Sequence, residues 1–166
     1  MNKEKFYHEL KEHHYESYGW ALYCCNHDEG LAKEVLQTAY LKALRAQESY
    51  KGRSSMRTWL FSIIKNTSID MRKKISRHND RLTRLDNLDF SHYNIANSDN
   101  QPKNFFDKAL SMLSERQKEL MHLVFYQDLS INEAAEVMEI SGGTARKHYH
   151  RAKEQLKKWI ITNKIN

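Results

Sequence analysis

Apolar residues recur at helical spacing along most of this chain, and the spacing predicts an all-α protein. Only one proline and five glycines occur in 166 residues, so few positions interrupt a helix. The apolar stripes predict a first helix over about residues 5–25, a second over about 30–46 and a third that begins near Ser55. Further along, they predict helices over about residues 105–113 and about 114–126, and then two helices joined by a tight turn.

These helices fall into two groups, which predicts two small helical domains. Residues 1–76 form the first predicted domain, a three-helix bundle, and residues 105–162 form the second, a four-helix domain. Residues 77–104 lie between them, are rich in Asn, Asp and Ser, contain the only proline and show no sustained period. Such a composition offers too little apolar surface to fold alone, so we expect a flexible linker.

The tight turn between two short helices near the end of the chain predicts a helix-turn-helix. Ser130 and Glu133 have the spacing of a capping box, which predicts that the first of these helices starts at Ile131. Ser141 is placed to cap the second helix, and the small residue Ala134 allows the two helices to approach closely. In this motif the second helix lies in the major groove of DNA.

The second helix of the motif has an apolar side and a cationic side. At 100° per residue, the side that faces the domain core consists of Ala145, Tyr149, Ala152, Leu156 and Ile160. The opposite side is predicted to reach base edges through Arg146, Lys147, His150 and Arg151. His148 and Lys153 lie at the margins of this side and fit phosphates better. Gly142 and Gly143 allow the DNA backbone to come close to the helix start, where free N–H groups favour phosphate. The alternative is a solvated surface helix that is merely basic.

The distribution of charge supports a nucleic-acid contact. The chain carries 27 Lys and Arg against 21 Asp and Glu, so its net charge of +6 is modest. Six Lys or Arg lie within residues 146–158 and seven within residues 65–84, whereas residues 85–107 contain four Asp and one Lys. Two basic faces separated by an acidic segment predict two contacts with a polyanion, most simply nucleic acid.

Aromatic residues stand beside cations and hydroxyls between residues 50 and 60. This mixture suits single-stranded bases, which stack on aromatic rings while cations hold the backbone. Trp59 also belongs to the apolar stripe of the third helix, so the pattern leaves open whether it is a core residue or a stacking residue. The third helix continues with a polar, cationic side that includes Lys65, Asn66, Arg72, Lys73 and Lys74.

Catalytic and metal-binding patterns are weak in this sequence. No glycine-rich phosphate loop, nucleophile elbow or zinc-protease motif occurs, so we expect a binding protein without cofactor, metal or catalytic residues. Cys24, Cys25 and His27 allow two interpretations, part of a metal site or small buried thiols, and no second Cys pair is present to complete a zinc site. No stretch approaches a membrane span and no signal-peptide core follows Met1, so we expect a cytoplasmic protein.

These regions, in this order, resemble an extracytoplasmic-function (ECF) sigma factor of bacterial RNA polymerase. Residues 50–60 are similar to the family's F-R-G-R-S-S-F-R-T-W-L, and residues 113–119 are similar to L-P-E-R-Q-R-E. Residues 35–45 are similar to the segment that docks on the polymerase clamp. The helix-turn-helix is similar to L-S-x-x-E-I-A-x-I-L-x-I-S-x-G-T-V-K-S-R-L-x-R-A, with matches at Leu129, Ser130, Glu133, Ala135, Ile140, Ser141, Gly143, Thr144, Arg151 and Ala152.

The resemblance implies a different task for each domain. The second domain would recognise the −35 promoter element as duplex through Gly143, Thr144, Arg146, Lys147, His150, Arg151 and Lys153. The first domain would hold the melted −10 element, with a base flipped into a pocket at residues 50–57, through Tyr50, Lys51, Ser54, Arg57, Trp59, Lys65, Asn66, Arg72 and Lys73. It would also bind core polymerase through Glu34, Gln37, Thr38, Leu41, Lys42 and Arg45.

The predicted function is therefore that of an ECF sigma factor, which directs promoter recognition, −10 melting and initiation while the polymerase supplies the chemistry. The implied partners are core RNA polymerase, promoter DNA and an anti-sigma factor. One alternative is a stand-alone helix-turn-helix regulator that binds duplex DNA without polymerase, and another is a protein-interaction adaptor with incidental basic charge. The aromatic segment at residues 50–60 argues against the regulator, because a regulator has no need of stacking residues there.

Overall fold

A computed structural model describes the backbone of residues 3–85 and 105–164 and the side chains of residues 4–81 and 108–163. The all-α prediction is confirmed, because these residues form eight α-helices and one short 3₁₀-helix, with no β-strand among them. The chain divides into two compact units, the first made mostly of residues 1–81 and the second mostly of residues 82–166. No helix within the described ranges is both long enough and apolar enough to cross a membrane.

The first unit contains four α-helices and the 3₁₀-helix. The Asp28 side chain caps the third helix by accepting a hydrogen bond from the Leu31 N–H at 3.0 Å. Ser55 does the same for the fourth, where its Oγ accepts from the Thr58 N–H at 3.1 Å. The elements in chain order are α1 (Lys3–Glu12), α2 (His14–Cys24), α3 (Glu29–Arg45), the 3₁₀-helix (Gln47–Ser49) and α4 (Met56–Leu85).

The single helix predicted over residues 5–25 is wrong, because the structure divides it into α1 and α2. His13 lies at the junction and has the backbone angles φ −93° and ψ 13°, outside the helical region. Phe6 on α1 and Trp20 on α2 are both fully buried, so each half contributes its own core residue. Neither glycine nor proline marks the junction, and the sequence therefore carried no local signal of it.

The fourth helix is longer than the apolar stripe indicated. Its backbone stays helical through Leu85, so residues 77–85 are helix where the composition predicted irregular chain. The side chains from Arg72 to Arg81 are exposed, and apolar periodicity had nothing to detect there. Three Arg and two Leu among residues 77–85 are good helix formers, and this stretch has no glycine or proline that would end the helix. The remainder of the predicted linker, residues 86–104, lies outside the described residues.

A buried tryptophan joins α2 to α4 in the core of the first unit. Trp20 Nε1 donates a hydrogen bond to the main-chain carbonyl of Phe61 at 3.0 Å, and the two rings stack with centroids 5.9 Å apart. The hydrogen bond satisfies the one polar atom of an otherwise apolar side chain. Further fully buried side chains of the first unit are Val35, Ala39 and Ala43 of α3 and Leu60 and Ile64 of α4.

The second unit contains α5 (Phe105–Ser111), α6 (Glu115–Phe125), α7 (Ile131–Val137) and α8 (Gly142–Lys164). Leu113, Met121 and Ala152 form a buried cluster that fixes α8 against α6. Leu110, Tyr149 and Leu156 pack against this cluster and are partly buried. The helix α8 thus buries one side and leaves the other side to solvent.

Candidate nucleic-acid interface

The helix-turn-helix forms as the sequence predicted. The Ser130 N–H donates to Glu133 Oε2 at 2.9 Å and the Glu133 N–H donates to Ser130 Oγ at 3.2 Å, so the capping box is confirmed. At the start of α8, Ser141 Oγ accepts from the Thr144 N–H at 3.1 Å, which confirms the second cap. Between the helices, the Ile140 N–H donates to the Ala135 carbonyl at 3.0 Å and closes the turn.

The predicted apolar side of α8 faces the core. Ala145 and Ala152 are fully buried, and Tyr149, Leu156 and Ile160 are partly buried. All seven residues proposed for the −35 contact are exposed together on the remaining surface of the helix: Gly143, Thr144, Arg146, Lys147, His150, Arg151 and Lys153. We name this surface the recognition face.

Two cations of the recognition face are held by neighbours. Lys153 Nζ lies 5.3 Å from the centroid of the Tyr149 ring, within the range of a cation–π contact. Arg146 Nη1 donates a hydrogen bond to Asn132 Oδ1 of α7 at 3.3 Å. Asn132 was not singled out by the sequence, because a polar residue in the first turn of a helix gives no periodic signal.

A concave site lies where the 3₁₀-helix leads into α4. Tyr50 and Trp59 have ring centroids 5.0 Å apart, and the Tyr50 hydroxyl donates to the Ser54 carbonyl at 2.7 Å, which closes the loop. The cavity has a volume of about 270 Å³ and is open to solvent. Its lining residues are Ser49, Tyr50, Lys51, Arg53, Ser54 and Trp59, which together we call the aromatic pocket.

The structure answers the question that the sequence left open for Trp59. Its ring packs edge-on against the buried Phe6 ring with centroids 6.1 Å apart, yet the side chain is only partly buried and lines the aromatic pocket. It therefore serves as a core residue on one side and a cavity wall on the other. Burial raises the pKa of Tyr50, and the nearby Glu9 carboxylate adds to the effect, so its hydroxyl stays protonated and able to donate.

Some candidates for the −10 contact lie outside the aromatic pocket. Arg57 is partly buried and does not line the cavity, whereas Ser49 and Arg53, which were not among the candidates, do line it. The signal for Arg53 was its place within the aromatic and cationic segment, and Ser49 had none. Four further candidates lie along α4 on one side of the helix. They form two pairs, and the members of each pair are seven residues apart: Lys65 with Arg72, and Asn66 with Lys73.

The residues proposed for polymerase binding share one side of α3. Leu41 is a large apolar side chain that is 52% exposed among polar neighbours. Lys42 Nζ makes an exposed ion pair with Asp70 Oδ2 of α4 at 3.3 Å. Thr38 is partly buried, and the other members of the set are exposed: Glu34, Gln37 and Arg45.

Cys24 and Cys25 are both buried, and neither forms a disulfide. Burial raises the pKa of the Cys25 thiol to about 11, and the lowering effect of Arg72 is smaller. A protonated thiol is a poor metal ligand, because the thiolate is the form that binds metal. Within residues 3–85 and 105–164, no group of three or more His, Cys, Asp or Glu side chains is arranged to hold a metal ion.

Two family models match this chain, one for each unit. The model of Sigma-70 region 2 matches residues 10–78, and the model of Sigma-70, region 4 matches residues 106–156. The first match contains α3, the aromatic pocket and most of α4, and the second contains α6, α7 and α8 as far as Leu156. The two matches define a sigma factor built from regions 2 and 4.

Similar proteins of known function indicate which kind of sigma factor this chain is. The chain is 28% identical over 137 residues to the RNA polymerase sigma factor YlaC of Bacillus subtilis, with 76% of each chain covered. It is 25% identical over 155 residues to the ECF RNA polymerase sigma factor SigX of the same organism, with 88% of this chain and 78% of SigX covered. The chain belongs to the ECF sigma factors, which direct promoter recognition and transcription initiation and are not enzymes.

The fold is shared with a solved complex. The structure is similar to that of the sigma factor RpoE, determined in complex with the anti-sigma factor NepR from Bartonella quintana. The TM-score is 0.64 at 24% sequence identity, and the similarity covers 95% of this chain and 97% of RpoE. At 24% sequence identity, this similarity shows that the two proteins share a fold.

Proposed function

We propose that the two units contact one promoter in two different states. Residues 1–76 bind core RNA polymerase and the melted −10 strand, residues 105–162 bind the −35 duplex, and residues 77–104 connect them. The membership of the chain in the ECF family supports this division, as do the match of the first unit to region 2 and the match of the second to region 4.

The observation that carries the proposal is the aromatic pocket. An unstacked base loses its neighbours at a cost of a few kcal/mol, and a protein aromatic ring returns about 1–3 kcal/mol per base. Trp59 offers a ring face beside a cavity, and Lys51 and Arg53 supply cations for the strand that carries the base. A base flipped into this pocket stabilises the open state of the promoter and shifts the duplex towards melting.

The side of α4 that follows the pocket extends the strand contact. Arg72 and Lys73 are exposed cations, and Asn66 is an exposed amide that can donate to and accept from a base. Lys65 and Arg57 are partly buried cations of the same helix. These residues hold the backbone of the opened strand while the pocket holds a base.

The side of α3 described above is the proposed contact with core polymerase. Leu41 supplies an exposed apolar centre, and polar residues surround it: Glu34, Gln37, Thr38, Lys42 and Arg45. An apolar centre with a polar rim is the usual composition of a protein interface. The exposed Lys42–Asp70 ion pair contributes little by itself and can be exchanged for a polymerase carboxylate at low cost.

The recognition face is the proposed contact with the −35 duplex. Arg146, Lys147, His150 and Arg151 are exposed in the first half of α8, the part of a recognition helix that contacts base edges. Thr144, Lys153 and Gly143 contact the phosphate backbone beside them. The duplex has to be intact for this contact, because base edges are recognised from the major groove.

We further propose that the protein works in the cytoplasm, where core polymerase is found, and that an anti-sigma factor restrains it. The support is the similarity to RpoE of Bartonella quintana, whose solved complex contains the anti-sigma factor NepR. An anti-sigma factor that covers either candidate interface would prevent promoter binding.

The decisive experiment adds the purified full chain to bacterial core RNA polymerase and measures specific initiation on genomic promoter fragments in vitro. We expect run-off transcripts that depend on the added chain. A preparation with Trp59→Ala serves as the variant, and one with Tyr15→Ala, an exposed aromatic far along the chain from the pocket, serves as the control. Duplex binding without any initiation would mean that the chain acts as a regulator instead.

A further inference from the structure

The side chain of Asn132 connects the starts of the two helices of the motif. Asn132 is an exposed residue in the first turn of α7, and its Oδ1 accepts the hydrogen bond from Arg146 Nη1 at 3.3 Å. Arg146 lies one helical turn after Gly142, the first residue of α8. The long arginine side chain therefore reaches back towards the start of its own helix.

Gly142 leaves the space that this arrangement needs. A Cβ atom at Gly142 would lie 3.3 Å from Asn132 Oδ1 and 3.5 Å from Arg146 Nη2. Both contacts are with the polar ends of the two bonded side chains rather than with backbone. Any side chain at this position would crowd the hydrogen-bonded pair. The next glycine differs, because a Cβ at Gly143 would meet only Ser141 Oγ at 3.9 Å.

We propose that Asn132 is a positioning residue for Arg146, and that Gly142 provides the room in which the pair is held. The proposal rests on the proposed −35 contact. Asn132 accepts from one edge of the guanidinium and leaves its other N–H groups to face a base. Arginine recognises guanine through two parallel hydrogen bonds to O6 and N7, a geometry that requires a fixed guanidinium plane.

The physical gain is pre-organisation. A free arginine side chain occupies many rotamers, and ordering such a side chain on binding opposes association. When Asn132 has already fixed the guanidinium in the unbound protein, that cost falls on folding rather than on binding. The effect is confined to the base pair that Arg146 contacts, and this confinement separates positioning from a general loss of structure.

The experiment measures base preference at each position of the duplex. Holoenzyme assembled from the full chain and bacterial core polymerase is incubated with a pool of promoter duplexes randomised across the −35 region, and the bound fraction is sequenced. The wild-type chain, Arg146→Ala, Asn132→Ala and the double variant are compared at one salt concentration. The base pair at which the Arg146→Ala variant loses the wild-type base preference is the base pair that Arg146 contacts.

We expect Asn132→Ala to lower the preference at that same base pair by about three- to tenfold, the cost of ordering one long side chain. Preferences at the other positions stay unchanged. In the Arg146→Ala background, Asn132→Ala has no further effect, because there is no guanidinium left to position. Asn163→Ala, which removes an exposed amide near the end of the same helix, leaves every preference unchanged.

Gly142→Ala tests the second half of the proposal independently of Asn132. Alanine has the higher helix propensity, so the thermal midpoint of the protein does not fall. The added Cβ displaces the hydrogen-bonded pair, and the preference at the Arg146 base pair decreases by a similar factor. A loss of recognition without a loss of stability is the signature of a positioning defect.

Two results overturn the proposal in different ways. If Asn132→Ala has the same effect in both backgrounds, or acts at another base pair, Asn132 contacts DNA by itself and does not position Arg146. If Arg146→Ala changes no base preference at all, the proposed −35 role of Arg146 is wrong, and the positioning role is lost with it.

Discussion

The aromatic pocket and the recognition face both suit DNA, yet they differ in shape and in the type of side chain that they expose. The pocket is concave, has two aromatic rings in its wall and lies where a loop enters α4. The recognition face is a convex helix surface with five cationic or imidazole side chains exposed on it and its apolar residues turned inward. The pocket suits a base that has left the duplex, whereas the face suits base edges that are still paired.

In the proposed function, one small chain uses this contrast to distinguish paired from unpaired bases of the same DNA. Paired bases display hydrogen-bonding edges in the major groove, and charged or polar side chains recognise them there. An extruded base displays its ring faces, and aromatic side chains recognise those. Changes in the second unit should therefore affect sequence preference, and changes in the first unit should affect promoter opening.

The largest effect is expected from removing two cations of the recognition face together. Arg146→Ala with Arg151→Ala should lower discrimination for the −35 duplex by about 4 kcal/mol, or roughly 1000-fold. Binding to core polymerase should stay unchanged, since the proposed polymerase contact lies on α3. Competition binding of holoenzyme against unrelated duplex measures the first quantity, and native gel assembly with core measures the second.

The control removes the same charge from the same helix. Lys157→Ala with Lys158→Ala eliminates two exposed cations of α8 that lie beyond the recognition face. This variant should weaken all duplexes alike and keep the discrimination. Should polymerase assembly fall along with −35 discrimination in the Arg146 and Arg151 variant, the separation of tasks between the units is wrong.

Thiol reactivity offers a probe of the first unit alone, because both cysteines lie there. In a Cys24→Ala variant, Cys25 should react with a disulfide reagent at pH 8 about 100-fold more slowly when folded than when unfolded. The reason is that burial raises its pKa from 9.0 to about 11, so the thiolate population falls by that factor.

The raised pKa of the Cys25 thiol also predicts the direction in which stability changes with pH. The unfolded thiol ionises first as pH rises, and the folded state binds the extra proton. The free energy of unfolding should therefore decrease between pH 9 and about 11 and be constant with respect to this group below pH 9. Equal reaction rates in the folded and unfolded protein would show that Cys25 is accessible.

A smaller effect is expected at the pocket. Trp59→Ala should weaken holoenzyme binding to a single-stranded −10 oligonucleotide by about 2 kcal/mol, or roughly 30-fold, through lost stacking. Affinity for the −35 duplex should not change. Because Trp59 also packs on Phe6, Trp59→Phe is the matched variant that retains a ring, and it should recover most of the binding. Equal losses in the two variants would remove stacking as the explanation.

The smallest effect is expected at Asn66. Asn66→Ala removes hydrogen-bonding capacity worth about 1 kcal/mol, so promoter opening should slow by roughly fivefold. Closed-complex binding should change less, because the duplex has not yet exposed the strand that Asn66 contacts. Stopped-flow fluorescence of a labelled −10 base separates the two steps. Equal effects on both steps would exclude Asn66 from the melting contact.

The sequence predicted the second unit more fully than the first, for a physical reason. In the helix-turn-helix the determinants are local: the caps at Ser130 and Ser141 and the apolar side of α8 are each set by residues within a few turns. In the first unit, the junction at His13 has no local sequence signal, and the dual role of Trp59 depends on its contact with Phe6, which is distant in the chain. Periodicity along one segment contains no information about such contacts.

The same reasoning explains which site residues were missed. Asn132 acquires its partner across the turn, and Ser49 and Arg53 line a cavity that exists only after the loop closes onto α4. Each is an ordinary polar residue in isolation. The helical extension of α4 over residues 77–85 was missed because its side chains are exposed as far as Arg81 and leave no apolar stripe, although no glycine or proline interrupts it.

The unbroken course of α4 has a consequence for the dimensions of the promoter contact. Trp59, Asn66 and Lys73 are spaced seven residues apart on one helix, so the first and last are separated by about 21 Å along its axis. In the proposed strand contact, this one helix sets the spacing of the three groups, and inserting one residue between Trp59 and Asn66 would rotate the two groups by about 100° out of register.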